Sequence, residues 1–565
     1  MTFESHEVDD WFVAQGAPSL GKLAADHPLV RAYGGQGWRL KTRGGVVAVL
    51  ADDDFPYSKP QAFLERHDRK RPQPHIEPLR DLPGLGRICL DSAALPENPL
   101  LAVITAVHDA RALLEANDTG EEDQDFENDF RLYWHHYLPA DSRNARLWGM
   151  AEVREGFGAC YLAGETYFCF PNKVSLRRWS ENIAGLTVKR PRRFPIIPVS
   201  RLPRPDRYPH DTGSLVTLLR RYSARGLEVV GEMLRACPKR IPIVFHGTAP
   251  NGRTFHAAVE LRLKTDTKGR SPLGARAHSR LSDADVLDQY ETFPLDTRDL
   301  DAATSRMTGR DIAANGKKVV VVGCGAIGSE IAMTLVKAGV SRIVLIDSET
   351  LGWENIRRHE LGADSVGEAK AVALKARILR SFPATEKIDA LPSRLQKALR
   401  DKPNLLEGVD LVVSATGDWA CDAFLDQSLA AMETAPPALY AWTEAFGLAA
   451  QAILIGEAGV RLAAGFEPGG AFKGKSSHTD LPSPAECGNS TSPFGPIEVS
   501  QAHVVATKLA LESLAGMHKG ENVWRTWTTD RRSLEASEGR WSQWWLDRHG
   551  TPPEEGGFWH TAWDF

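Results

Sequence analysis

The sequence predicts a multidomain α/β protein whose C-terminal half is built on a largely parallel sheet. Three observations carry this. A chain of 565 residues exceeds what one hydrophobic core supports and points to about three or four domains. Residues 305–515 alternate short β-branched runs with helical patterns, as parallel βαβ units do. Within them Lys317–Val322 (KKVVVV), apolar over its last four residues, runs directly into a glycine-rich turn and a helical pattern.

Taken in order, residues 1–140 open with a helical pattern and pass to strands at Trp38–Thr42 and Val46–Leu50. A Pro-rich stretch, Pro56–Pro83, follows. A helix is expected over Asn98–Ala116, with Leu100, Leu101, Ile104, Val107, Leu113 and Leu114 as its apolar face. The acidic run Asp118–Asp129 reads as a solvated connector. Residues 141–304 hold strand-like runs at Arg240–His246 and Thr254–Leu263 between Pro- and Arg-rich loops. They carry no chemical motif and read as a linking or docking module. Residues 305–518 form the third region. The tail, 519–565, contains seven of the fifteen tryptophans, a density that implies packing against another domain or a partner groove.

Composition narrows the functional class. A net charge of −5 over this length offers no footprint for nucleic acid or an anionic membrane. No apolar run of about 18 residues is present, and the acidic start MTFESHEVDDWF lacks the pattern of a secretory signal. The seven cysteines are scattered, without a Cys-x-x-Cys pair, so free thiols in the cytoplasm are expected. A functional cysteine is then sought as a nucleophile.

Gly323-Cys324-Gly325-Ala326-Ile327-Gly328 is a G-x-G-x-x-G turn between a strand and a helix. Its glycines permit a tight turn and close backbone approach to phosphates, and the helix N-terminus supplies oriented N–H groups. The next strand, Arg342–Ile346, ends in Asp347, placed to hold a ribose hydroxyl. These residues alone fit a nicotinamide or flavin enzyme. Further on stand Glu354-Asn355-Ile356-Arg357-Arg358-His359, Gly367-Glu368-Ala369-Lys370 and the strand-end Thr416-Gly417-Asp418. An acid for Mg²⁺ and cations for a triphosphate favour phosphate chemistry over hydride transfer.

With these residues in view, 305–515 resembles the Rossmann-like adenylating domain of the ThiF, MoeB, HesA and ubiquitin-activating family. The resemblance implies that Gly323, Gly325 and Gly328 cradle ATP and that Asp347 binds its ribose. It further implies that Asn355, Arg358 and Lys370 contact the phosphates and that Asp418 holds Mg²⁺. Arg357, His359 and Trp419 depart from the family's usual residues. An adenylate is usually handed to a nucleophile, and two cysteines follow Asp418: Cys421, at a helix start, and Cys487, on a polar loop rich in Gly and Pro. The family's thioester cysteine lies on a late loop, which favours Cys487.

The N-terminal region resembles the ubiquitin-conjugating fold, an α+β domain. The match is carried by Phe55-Pro56-Tyr57-Ser58-Lys59-Pro60, Pro74-His75-Ile76 and Gly86-Arg87-Ile88-Cys89-Leu90 ahead of a helix. By pattern alone Cys89 reads more readily as a packed strand cysteine than as a functional one; the resemblance implies a thioester cysteine. The family's usual Asn is absent. His75 occupies its neighbourhood, either donating to the tetrahedral oxygen or orienting the loop.

Together the two regions resemble the conjugating–activating fusion ligases of bacterial antiphage cyclic-oligonucleotide signalling (CBASS) and of bacterial ubiquitin-like operons. That implies use of ATP and Mg²⁺, a protein substrate with an activatable C-terminus (a nucleotidyltransferase or a ubiquitin-like protein), a target lysine and a homodimer. A sulfur-carrier adenylyltransferase with an N-terminal interaction module, and a redox Rossmann enzyme, are the competing readings.

Overall fold

A computed structural model describes residues 6–16, 18–90, 97–139, 142–148, 156–182, 188, 190–265, 275–299, 313–382, 385, 387–456, 458–481 and 494–565. The chain is multidomain and α/β, and it divides into two compact units. One comprises Met1–Leu176 and Val188–Leu300, the other Arg177–Thr187 and Asp301–Phe565.

The first unit contains a six-stranded sheet and a barrel. The sheet strands are β1 (Ser19–Lys22), β2 (Gln36–Thr42), β3 (Gly45–Ala51), β4 (Gln61–Glu65), β5 (Ile76–Pro78) and β6 (Leu85–Ile88). They lie in the order β1-β2-β3-β4-β6-β5 and are antiparallel throughout. The helix Pro99–Thr119 packs on β3 and β4. Asn98 caps its first turn, accepting from the Leu101 N–H at 3.0 Å, and Gly120 at φ 77° ends it.

The face this helix buries differs from the expected one. Ala102, Val103, Ala106, Val107, Ala110 and Leu114 are buried, whereas Leu101 is 46% exposed. Alanines at 102, 106 and 110 let the helix approach the sheet closely, and a count of large apolar residues passes over them.

The barrel is made of β7 (Asn144–Leu147), β8 (Gly156–Ala163), β9 (Thr166–Phe170), β10 (Arg192–Pro198), β11 (Arg240–Thr248), β12 (Thr254–Leu263) and β13 (Tyr290–Asp299). It closes in the order β10-β11-β12-β13-β7-β9-β8, with β8 paired back to β10. Buried Glu260 accepts from Tyr167 Oη at 2.7 Å and from Arg240 Nε and Arg262 Nε at 2.6 Å each, as a carboxylate out of water requires.

The run Asp118–Asp129 is not a solvated connector. It completes the helix, forms the turn Glu121–Gln124 and the short helix Asp125–Asn128, and buries Phe126 and Glu127. Its charges find partners: Arg204 binds Asp123 at 2.8 Å, and Arg201 Nε donates to Glu127 at 2.7 Å. The helix Phe130–Tyr137 then places Phe130, Trp134 and Tyr137 in the barrel's core. Trp134 Nε1 donates to the Leu295 carbonyl at 2.9 Å.

The second unit is an eight-stranded sheet. Its members are β14 (Lys318–Val322), β15 (Arg342–Ile346), β16 (Lys387–Leu391), β17 (Leu411–Ser414), β18 (Ala438–Thr443), β19 (Ala449–Ile455), β21 (Val523–Thr528) and β23 (Gly557–Thr561). A separate antiparallel pair, β20 (Ser477–Thr479) with β22 (Gly539–Trp541), stands apart. The order is β16-β15-β14-β17-β18-β19-β21-β23; the first five strands are parallel and the remaining pairings antiparallel. The Trp-rich tail thus supplies two strands of this sheet, and Trp524 and Trp545 are fully buried in the same unit. Among the described residues no helix is long and apolar enough to cross a membrane.

Candidate functional site

The glycine turn lies at the C-terminal end of β14, where the strand order reverses between β14 and β17. A crevice opens there in parallel sheets. The helix that follows begins at Ala326, with Gly325 as its N-cap, so the last three residues of the motif lie in its first turn. Two glycines are fixed by sterics. Gly323 sits at φ 83°, and a Cβ on Gly328 would lie 1.9 Å from the Gly323 carbonyl oxygen. Gly325 is different: a Cβ there would meet nothing within 4 Å. That open space above a helix N-terminus suits a phosphate-bearing ligand.

Asp347, at the end of β15, clamps this turn. Its carboxylate accepts from the Cys324 N–H and the Glu349 N–H, both at 2.7 Å, while burial raises its pKa. A residue that the sequence marked only as a departure, His359, braces the turn from beneath. Its Nε2 donates to the Cys324 carbonyl at 2.7 Å, and its Nδ1 accepts from the Leu361 N–H at 3.0 Å. Burial lowers His359 to about 4, so the ring is neutral at physiological pH. Buried histidines carry no sequence signature; only their partners reveal them.

The expected cations are present but engaged. Arg358 Nη1 donates to the Phe494 carbonyl at 3.1 Å, and its guanidinium lies 4.4 Å from the Phe494 ring. Lys370, buried in the first turn of its helix, pairs with Glu349 at 2.6 Å. Asn355 accepts from the Gly352 N–H at 3.0 Å and so shapes its own loop.

Asp418, exposed, caps the helix Trp419–Ala430 by accepting from the Ala420 N–H at 2.9 Å. One turn on, buried Asp422 accepts from Ser414 Oγ at 2.5 Å and Thr416 Oγ1 at 3.1 Å, and burial raises it to about 6. The sequence reading missed Asp422. Exposed carboxylate oxygen beside this crevice is a donor set that suits Mg²⁺. Cys421, in the same helix, is pushed up to about 12 by burial and by Asp422 and Asp418, a poor setting for a thiolate. Cys487 lies outside the described residues. Earlier in the chain, the N–H groups of Ser476 and Ser477 donate to buried Glu444 at 2.7 and 2.8 Å.

In the first unit Cys89 is exposed at the end of β6 and is not a packed strand residue. Its N–H donates to the His75 carbonyl at 2.8 Å. His75 is held at φ 58°, with its own N–H donating to Tyr133 Oη at 2.7 Å. Its Nε2 lies 2.9 Å from Asp125 Oδ2 and 3.6 Å from Glu122. The ring is raised to about 9, first by a side-chain hydrogen bond with Cys89, then by Asp125 and Glu122, against desolvation. Asp125 and Glu122 were missed because they sit in the run read as a connector.

Residues 305–460 match the ThiF family, and residues 30–141 match the prokaryotic E2 family B. The ATP-dependent ubiquitin transferase-like protein Cap2 of Pseudomonas aeruginosa is 34% identical over 148 residues, 25% of this chain and 24% of that protein. Its namesake from Enterobacter hormaechei is 35% identical over 122 residues, 20% of each chain. A sulfur carrier protein adenylyltransferase of Thermus thermophilus is 32% identical over 102 residues, 18% of this chain and 36% of that one. The matched segments thus span between a fifth and about a third of these relatives. Among solved structures, Escherichia coli MccB with AMPCPP and MccA shares 15% identity over 41% of this chain and 65% of its own, with a TM-score of 0.29.

Proposed function

We propose that this chain, which joins a prokaryotic E2 family B domain to a ThiF domain, activates a protein C-terminal carboxylate with ATP and conjugates it to an amine through cysteine thioesters. The observation that carries the proposal is the pairing, in one chain, of a glycine turn at a sheet switch point with an exposed cysteine set against a charged histidine.

In this reading the substrate carboxylate attacks the α-phosphate of ATP bound over Gly323, Gly325 and Gly328. The acyl-adenylate forms and pyrophosphate leaves. Asp347 holds the turn and faces the ribose, while Asn355, Arg358 and Lys370 serve the phosphates. Arg358 would exchange Phe494, and Lys370 would exchange Glu349, for phosphate oxygen. Asp418 would hold Mg²⁺, which supplies charge neutralisation for the phosphoryl oxygens. Cys487 takes the acyl group and releases AMP; Cys89 then takes it by transthioesterification, and a target lysine ends the cycle. Having both cysteines on one chain raises the effective concentration for the relay. The substrate is a nucleotidyltransferase or a ubiquitin-like protein in bacterial antiviral defence, and the enzyme works as a cytoplasmic homodimer.

The similarity to a sulfur carrier protein adenylyltransferase favours a second reading, adenylation alone. Incubation with ATP, Mg²⁺ and the product of a neighbouring gene, followed by non-reducing gels of Cys89→Ser and Cys487→Ser, separates the two. The relay requires a thiol-sensitive adduct that moves from Cys487 to Cys89. An adduct on Cys89 that survives Cys487→Ser unchanged breaks the relay order, and pyrophosphate exchange without any adduct selects the second reading.

A further inference from the structure

We propose that Asp125 is the positioning residue of a Cys89–His75–Asp125 proton relay, in which His75 stabilises the Cys89 thiolate before acylation and removes the proton from the incoming amine afterwards. This deepens the reading above, resting on Cys89 as the acyl carrier.

Three segments meet at this point. Cys89 follows β6, His75 precedes β5, and Asp125 opens a short helix after Pro99–Thr119. The backbone of His75 is fixed on both sides, its carbonyl by Cys89 and its N–H by Tyr133. Its ring Nε2 meets Asp125 at 2.9 Å, on a residue whose carbonyl is bonded to the Cys89 N–H. Asp125 is itself oriented by Asn128 Nδ2, 3.1 Å from its other oxygen. Among the described residues, the ionisable groups facing the ring are Cys89, Asp125 and Glu122. Tyr133, which faces the backbone, is kept protonated by burial.

This arrangement does two things in turn. In the reacting state of the relay, thiolate and imidazolium face each other, and Asp125 accepts the Nε2 proton. The thiolate attacks the acyl carbonyl; a carbon–sulfur bond forms, the donor's bond breaks, and the leaving group departs with its electron pair. Acylation removes the hydrogen bond with Cys89, the first cause of the raised His75 pKa. The ring then gives up its proton to the departing group or to water. A neutral amine attacks the thioester, His75 accepts one of its protons, and the carbon–sulfur bond breaks. The products are an amide, Cys89 thiolate and imidazolium, the pair that attacks the next acyl carbonyl.

The test uses the full chain and does not depend on ATP. Alkylation of Cys89 by iodoacetamide is followed by peptide mass spectrometry from about pH 5 to pH 9. Asp125→Asn should raise the midpoint and slow alkylation about tenfold near neutrality, one pKa unit of lost thiolate. Separately, the thiophenyl ester of N-acetylglycine loads Cys89 and lysine deacylates it. His75→Asn and Asp125→Asn should slow deacylation about 100-fold, with Asp125→Glu restoring part of it. Asn128→Ala, which leaves the carboxylate in place, should give a smaller loss in both assays and serves if Asp125→Asn does not fold. An unchanged alkylation midpoint and an unchanged deacylation rate in these variants would overturn the relay. Wild-type protein that shows the alkylation behaviour yet never loads with ATP and a protein partner leaves the relay standing and removes the function proposed above.

Discussion

His75 and His359 stand beside the two candidate sites and are set to opposite protonation states. His75 borders an exposed thiol and two carboxylates and is raised to about 9. His359 lies under the glycine turn, where burial and the Lys370 charge lower it to about 4. In the first unit charge pairing decides the state, because water still reaches the group. In the second, desolvation decides it, because the ring's two hydrogen bonds are met by backbone. One site is tuned by electrostatics, the other by shape.

The largest way to break this contrast is Gly328→Ala. A methyl group 1.9 Å from a carbonyl oxygen prevents the turn from closing. ATP–pyrophosphate exchange should fall by about 100-fold or more, as for a misplaced reacting group. Exposed Cys89 should keep its alkylation rate, since the damage is confined to shape in the other unit.

Titration sharpens the comparison. His359 has a folded pKa below its unfolded value, so its contribution is complete above about pH 6.5 and is lost as pH falls toward 4. The loss is on the order of 3 kcal/mol for the second unit. His75 runs the other way: its contribution is complete below about pH 6.5 and fades as pH rises through 9. Hydrogen exchange followed separately in the two units should show the second unit losing protection as pH falls below about 6.5 and the first losing it as pH rises above about 6.5. Parallel slopes would end the contrast.

Two smaller effects test the helix Pro99–Thr119, which carries the chain from Cys89 toward Asp125. Ala106→Leu forces volume into a close helix–sheet contact and should cost about 1–3 kcal/mol in urea unfolding. Leu101→Gln, on the exposed side, should stay within about 0.5 kcal/mol. The reverse ranking would restore the face drawn through the large apolar residues.

Legibility followed the same division. The β14 strand, the glycine turn and Asp347 were readable because strand, turn and helix are contiguous and their constraints are local. Thr254–Leu263 was found to the residue as a strand, yet the barrel around it was invisible, since closure depends on pairings between distant strands. Asp125 was misjudged because an acidic run is usually solvated; nothing local says that His75 sits 2.9 Å from it. Asp422 and His359 were passed over for the matching reason, that burial is a property of neighbours.

The sequence by itself determined that this chain holds a parallel-sheet nucleotide turn with an acid at the next strand end, and a cysteine placed before a helix in an α+β region. These follow from periodicity and from glycine stereochemistry, which act within a few residues. Tertiary structure alone decided that the tail's Val523–Thr528 and Gly557–Thr561 complete the sheet. It also decided that Arg358 rests on Phe494 and that an acidic turn closes on His75. Those contacts join residues dozens to more than a hundred positions apart, and only a folded chain brings such charges and rings within reach.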